Sequence, residues 1–366
     1  MTKSNADQPR KRKTKRIGGV TQVGARRPRG ADVAQLAGVS QSAVSRALRP
    51  GGSASSSVRE RVESAAATLG YRPNMLARAM ITRKTSVIAV VIAGSTTTYY
   101  PEVLRELCIS IARRGCRAMV FMVDGASDEA AAVDSMLSYR IDAAIALVSL
   151  SDHHLDLLQR HDIALLFYNR EGPGPGRSAV SCDHILAGTL AVRHLVELGH
   201  RRFAYIDGPQ GSPVASQRLE GVIAALSQAG ISPSTLLVVV GDYSYGSGRS
   251  AMAQLKAQRS AFSAIIACND AMAAAAVDVI RYEWSCYVPK DVSVVGFDGT
   301  EFGSWEAYGL TTLVQPVRYL CDAAVDIITD HTNIDGGERR LFNAILRPGQ
   351  TSGPVGRAFQ VTSARQ

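Results

Sequence analysis

From Ala31 to Leu69 apolar residues recur at helical spacing: Val33, Leu36 and Ala37, then Val44 and Leu48, then Val58, Val62, Ala65, Ala66 and Leu69. The pattern predicts three short helices. Gly38 suits a sharp turn between the first two, because glycine takes positive φ at little cost. Ser40 is placed to cap the second helix, and Ser55, after the Gly51-Gly52 loop, to cap the third. Gly70 ends the third helix, with Pro73 as a stop. Beyond Ser86 the pattern changes. The apolar runs "VIAVVIA", "RAMVFMV", "AAIALVS", "IALLFY", "RFAYID", "LLVVV", "AIIAC" and "VSVVGF" alternate with amphipathic stretches at 102–114, 127–139, 184–198, 214–229 and 270–283. Strands that are apolar throughout and alternate with helices predict βαβ units and parallel sheets covered on both faces. About ten such strands suit two doubly wound sheets, with the break near Ser181 to Asp183, after the loop "NREGPGPGRSAV".

Length and composition agree with a globular chain of two or three domains: 366 residues, 46% hydrophobic and 20% charged. No apolar run reaches the roughly 18 residues of a membrane span, and residues 1–30 hold no apolar leader segment. The six cysteines are scattered without a C-x-x-C pair, which fits a reduced, cytoplasmic compartment. Charge is distributed unevenly. Residues 1–30 carry ten Lys and Arg against Asp7 alone, a surplus equal to the formal +9 of the whole chain. Residues 31–84 add a further basic excess, so the rest of the chain is mildly acidic. One end is therefore suited to a polyanion. The run "RKRKTKR" at 10–16 is equally consistent with a solubilising tail.

The first two predicted helices, joined by "AGVS", have helix-turn-helix spacing, with the second free to enter a major groove. Gln41, Ser42 and Ala43 lie at its N-terminal end, where base edges are met: Gln can pair with adenine, Ser with several bases, and Ala with a thymine methyl. Ser40, Ser45 and Arg46 suit phosphates, which position a protein without specifying sequence. An ordinary helical hairpin packing its small residues on a neighbour is the alternative, and the adjacent basic charge weighs against it.

At this point a resemblance becomes specific. The blocks "DVAQLAGVS", "AVSRAL", "VRERV", "LGYRPN" and "LARAM" run without a gap and resemble the N-terminal domain of the LacI/GalR (lactose/galactose repressor) family. The resemblance implies that Gln41 and Ser42 hold the main base-reading positions. It also implies a hinge helix over Asn74 to Met80, including Ala77 and Arg78, that orders on operator DNA. Met80 stands where a Leu usually wedges into the minor groove; an interdomain packing contact is its other reading. Two departures stand out: Arg29 replaces the Thr that usually caps the first helix, and Arg49 replaces an Asn, either as a phosphate contact or as a solvated charge.

Residues 86–350 resemble the effector-binding core of the same family, which shares its fold with periplasmic sugar-binding proteins. The blocks are "YYPEVLRELCISIARRG", "HLVELGHRRFAYIDGP", "QRLEGVIAALSQAGI", "CNDAMAAAA", "VPKDVSVVGFDGTEF" and "LTTLVQP". The resemblance puts Asn169, Arg218, Tyr243, Asn269, Asp298 and Gln315 at a ligand cleft, with Ser95, Tyr99, Arg170, Tyr100 and Trp305 as weaker candidates. Directed hydrogen bonds to vicinal hydroxyls and a tyrosine face for a pyranose ring fit a sugar. Arg170 beside Arg218 permits a sugar acid. Other roles remain open: helix capping for Asn269, Asp270 and Asp298, and a surface ion pair for Arg218.

The implied fold is an all-α helix-turn-helix DNA-binding domain followed by an α/β periplasmic-binding-protein-like core of two doubly wound parallel-sheet subdomains. The expected divisions are a disordered tail over 1–28, the DNA-binding domain over 29–72, hinge and linker over 73–85, and the core over 86–352. Within the core, one subdomain takes 86–181 and 316–342 and the other 183–312 and 343–352, leaving a flexible tail over 353–366. The implied function is a homodimeric, ligand-responsive transcriptional regulator, a repressor that binds palindromic double-stranded operator DNA and senses a sugar or sugar acid, with no membrane partner and no cofactor. A non-sugar effector, an activating role and, more distantly, a solute-binding protein without a DNA role are the alternatives. His153, His154, His161, His184, His194, His200 and His331 show no metal spacing, and no G-x-S-x-G, G-x-G-x-x-G or phosphate-loop motif occurs, so no enzyme is expected.

Overall fold

A computed structural model describes residues 28–49, 51–72, 84–94, 98–170, 177–330 and 337–356. The chain divides into two compact units, Met1–Ile81 and Thr82–Gln366. The expected hinge helix (Asn74, Ala77, Arg78, Met80), Ser95, the N-terminal tail before Pro28 and most of the C-terminal tail lie outside the described residues.

The first unit contains α1 (Gly30–Ala37), α2 (Gln41–Ala47) and α3 (Ser56–Leu69). Val33, Ala34, Ala37, Val44, Ala47, Val62, Ala65 and Ala66 form its core. Leu36 departs from the expected core pattern and is 54% exposed, because Ala34, not Leu36, shares the inward face with Val33 and Ala37. Gly38 closes α1 at φ 63°. The N-terminus of α1 is better satisfied than Arg29 suggests: Asp32 reaches back to accept the Arg29 backbone N–H at 2.7 Å. Ser40 caps α2 by accepting from the Ala43 N–H at 3.2 Å. Ser55 precedes α3 without such a bond, since its hydroxyl pairs with Ser57 instead. Arg59 of α3 donates to the carbonyls of Ala47 and Gly52, both at 2.9 Å, and so ties down the end of α2.

The second unit has two six-stranded sheets. The first runs β11 (Arg339–Phe342), β5 (Ser178–Cys182), β4 (Ala164–Tyr168), β3 (Ala143–Ala146), β1 (Val87–Ile92), β2 (Arg117–Met122), all parallel. The second runs β12 (Ile345–Arg347), β10 (Thr311–Val314), β9 (Ser293–Asp298), β8 (Ala264–Ala267), β6 (Phe203–Asp207), β7 (Leu237–Val240). There β12 pairs antiparallel with β10, an exception to the expected all-parallel arrangement. The helices are α4 (Tyr100–Arg113), α5 (Ala126–Ser138), α6 (Asp152–Arg160), α7 (His184–Glu197), α8 (Pro213–Gln228), α9 (Tyr245–Ala257), α10 (Asp270–Asp278) and α11 (Val317–Thr329). The chain leaves the first sheet after β5, enters the second through α7, and returns to the first after β10. Strands β1, β3, β8 and β9 are almost wholly buried, as sheets covered on both faces require.

Two glycines set the approach of α7 to α8. A Cβ on Gly188 would stand 2.2 Å from the Arg218 carbonyl oxygen, and one on Gly221 would stand 2.0 Å from that of Ile185. Only residues without side chains let the two backbones come this close, and the closeness places Arg218 of α8 against His184 of α7.

Candidate DNA-reading helix and effector cleft

In the first unit Val44 and Ala47 turn α2 onto the core, and the opposite face carries Gln41, Ser42, Ser45 and Arg46, all exposed. Ala43 is half-buried, and Arg49 is exposed just past the helix end. The Ser40 and Ser42 hydroxyls lie 2.9 Å apart. Helix α2 thus presents small polar side chains and one guanidinium at its surface, with no apolar side chain among them.

In the second unit the candidate residues sit where open parallel sheets bind ligands, just beyond the carboxyl ends of strands: Asn169 after β4, Tyr243 after β7, Asn269 after β8, Asp298 at the end of β9 and Gln315 after β10. Arg218 comes from α8. A continuous hydrogen-bonded chain joins the two sheets. The Cys182 N–H donates to Asn169 Oδ1 at 3.0 Å, and Asn169 Nδ2 donates to Gln315 Oε1 at 2.6 Å. Gln315 Nε2 donates to Asp298 Oδ1 at 2.8 Å, and that oxygen also accepts from Arg218 Nη2 at 3.0 Å. Tyr99, buried at the start of α4, adds its hydroxyl, donating to Gln315 Oε1 at 3.1 Å and lying 3.4 Å from that of Tyr168.

Arg218 is 2% exposed, so the surface ion pair left open by the sequence is instead a buried one. Its guanidinium is fully engaged: Nη1 donates to the Cys268 carbonyl, Nε donates to His184 Nδ1 at 3.4 Å, and the carbon lies 4.7 Å from the Phe297 ring centroid. Burial opposes the Arg218 charge most, but Asp298 together with Cys268, Tyr243 and Tyr205 outweighs it and raises the pKa, so the residue stays cationic. Burial raises the Asp298 carboxyl, while Arg218 and Gln315 pull it back down. Both pKa values are raised, and the ionised pair is the state the geometry favours, because both donors converge on one Asp298 oxygen.

Asp298 does not cap the segment that follows it. Asn269 is a cap: its Oδ1 accepts from the Met272 N–H at 3.0 Å, while its Nδ2 donates to the Tyr243 carbonyl at 2.9 Å. The Tyr243 hydroxyl lies 2.9 Å from that of Ser212. Asp270, fully buried, accepts from the Thr300 N–H, the Thr300 hydroxyl and the Thr312 hydroxyl at 2.6–2.8 Å. Burial and the Asp298 charge push its carboxyl up to about 7 against those bonds. Trp305 is 57% exposed and stacks edge-on with Phe302.

Three features leave no trace in the sequence pattern. Asn169, Tyr243 and Asp298 all have positive φ, 56°, 70° and 108°, which is uncommon for residues other than glycine and clusters at functional sites. His184, 1% exposed, has an Nε2 with no partner. Since its Nδ1 accepts from Arg218, the ring proton belongs on Nε2, and burial with Arg218 beside it holds the pKa well below the usual histidine value. Arg170 donates from Nη1 to the Ser149 hydroxyl at 2.9 Å, and its buried Nε has no acceptor.

Comparison with known proteins bears on both units. Residues 31–74 match the family of bacterial regulatory proteins, lacI family, and residues 192–352 match the periplasmic binding protein-like domain. The ribose operon repressor of Escherichia coli (strain K12) is 31% identical over 300 residues, 81% of this chain and 91% of that protein. The Lac repressor dimer bound to operator and the anti-inducer ONPF superposes with a TM-score of 0.76 at 28% identity, over 88% of this chain and 98% of that one. A complex of the transcriptional regulator CelR with cellobiose superposes at 0.68 and 27% identity, over 89% and 100%.

Proposed function

Because the chain belongs to the lacI family of bacterial regulatory proteins, we propose that it is a ligand-responsive transcriptional repressor that binds operator DNA through α2 and senses a sugar-like effector in the cleft at Arg218, Asp298, Asn169 and Gln315. The observation that carries this reading is one chain holding both an exposed polar α2 face and a buried polar chain at the strand ends of a two-sheet core. Gln41 and Ser42 read bases, Ala43 adds a methyl contact, and Ser40, Ser45, Arg46 and Arg49 bind phosphates. Asn74, Ala77, Arg78 and Met80 complete the DNA contacts in the minor groove. Asn169, Arg218, Tyr243, Asn269, Asp298 and Gln315 hold the effector, with Ser95, Tyr99 and Arg170 around them. An effector alters DNA affinity only as far as it binds one closure state of the core better than the other. The domain divisions set out from the sequence stand as part of this reading.

The chain acts as a homodimer, which matches a two-fold operator. Both sheets leave apolar edges for a second copy: Val120 and Met122 on β2, and Val238 and Val240 on β7, are exposed on edge strands. No described helix is long and apolar enough to cross a membrane. A bacterial operator-binding protein works in the cytoplasm, on the nucleoid, and this one binds without catalysing.

Selection from a pool of random duplexes tests the reading. The full chain should enrich a two-fold symmetric site, and removal of residues 1–84 should abolish the enrichment while leaving the core folded. Exchanging Gln41 and Ser42 should change which site is selected, at roughly 1–3 kcal/mol per altered base pair. A truncated chain that still selects DNA, or an exchange that weakens all sequences equally, refutes the assignment of α2.

A further inference from the structure

The two arginines of the cleft are in opposite electrostatic situations. Arg218 has Asp298 as its counter-ion. Arg170, immediately after Asn169, has none among the described residues: its neighbours there are neutral hydroxyls, those of Ser149, Tyr100 and Tyr243. One of its nitrogens, Nε, is buried without an acceptor. Partly withdrawing a guanidinium from water without a carboxylate is costly, and an external oxyanion would offset that cost. Burial accordingly lowers its pKa, with Tyr100 and Tyr243 only partly opposing, the reverse of the direction at Arg218. Asp298 is already paired with Arg218, which leaves Arg170 without a carboxylate partner among the described residues.

Resting on the reading of this cleft as the effector site, we propose that the effector is anionic: a polyhydroxylated molecule bearing a carboxylate or phosphate whose oxygens pair with Arg170. The planar fork of a guanidinium matches either oxyanion, and the free Nε–H is one of the donors it offers. Asn169 and Asp298 remain close by for hydroxyls, so the polar body of the ligand and its charged end are recognised by different residues. Tyr100 and Tyr243, each with its pKa raised by burial, stay protonated and neutral beside the oxyanion.

The test is isothermal calorimetry and thermal shift on the full chain with matched probes: glucose, galactose and ribose; gluconate, glucuronate and galacturonate; glucose 6-phosphate and ribose 5-phosphate. At least one acid should bind tenfold or more tighter than its neutral twin. Arg170→Gln should lose tenfold or more of that affinity, Arg170→Lys less. Without ligand, Arg170→Gln should melt no lower than the parent, since it removes an uncompensated charge; a merely structural Arg170 would lower it. Binding confined to the uronates and aldonates assigns a carboxylate, and binding confined to the esters assigns a phosphate. Neutral sugars that bind as well as their acids, or acids whose affinity survives Arg170→Gln, overturn the proposal. In those cases a loss of binding in Asp298→Asn leaves the cleft itself in place. If no probe of either class binds, both the anionic effector and the sugar-like reading of the cleft fall.

Discussion

Replacing Asp298 by Ala should strand a buried cation. Asp298 Oδ1 accepts from both Arg218 Nη2 and Gln315 Nε2, and Arg218 is 2% exposed, so no water can replace the lost carboxylate. Arg218 would keep only the Cys268 carbonyl and the neutral His184 ring as acceptors. Breaking a buried pair by removing one partner costs about 3–5 kcal/mol. Alanine at a φ of 108° adds backbone strain on the order of 1 kcal/mol or more. At roughly 2–4 °C per kcal/mol for a domain of this size, the melting temperature of the core should fall by about 8–24 °C. Asp298→Asn keeps an acceptor and loses only the charge, so it should cost roughly half as much. The decisive measurement is a double-mutant cycle by denaturant unfolding with Arg218→Met. Taking the cation away as well should recover about 2 kcal/mol or more of the loss. A loss below about 1 kcal/mol for Asp298→Ala, or costs that simply add in the double variant, would refute the ionised buried pair. Operator binding should survive these changes, because the helix-turn-helix unit has its own core, while effector response is lost.

Three further outcomes follow from the packing and the charges. Gly188→Ala and Gly221→Ala each force a methyl into a carbonyl oxygen, at 2.2 and 2.0 Å; each should cost about 1–3 kcal/mol in denaturant unfolding, and a neutral effect would mean α7 and α8 do not pack so closely. The pH dependence of the melting temperature should carry two opposed contributions, both at or below about pH 7. His184, held below the usual value, contributes stability that is complete above pH about 6.5 and is lost as pH falls towards its depressed pKa. Asp270, pushed up to about 7, contributes stability that is complete below its unfolded value and is lost as pH rises through about 7. His184→Asn should remove the first contribution and Asp270→Asn the second; unaltered contributions would dissociate them from these groups. Met122→Lys with Val240→Lys puts charge on both exposed sheet edges and should convert a dimer to monomers by sedimentation, whereas an intact dimer would place the interface elsewhere.

What could be read in the sequence was whatever leaves a periodic or local trace. The 3.6-residue pattern marked α1 to α3, and alternating apolar runs marked the strands, because burial acts on side chains whose identity the sequence records directly. Gly38 and Ser40 were legible for the same reason, each being a local requirement of a turn or a cap. Leu36 shows the limit: a helix of eight residues has too narrow an inward stripe to bury every apolar residue on it, and Ala34 took the place. The cleft was legible only as a set of residue types at strand ends. Its organisation depends on pairings far apart in the chain, Asn169 with Gln315 and Arg218 with Asp298, and no local pattern encodes which of two arginines receives the carboxylate. Nor does the sequence mark positive φ at Asn169, Tyr243 and Asp298, where a glycine would have been the signal. Side chains are kept there despite the strain, and a position that accepts strain to retain a polar side chain is one where the side chain has a task. Arg170 follows the same logic in charge. A half-buried cation with a buried, unpartnered Nε and no counter-ion among the described residues is a cost the fold would shed by substitution unless something outside the chain completes it.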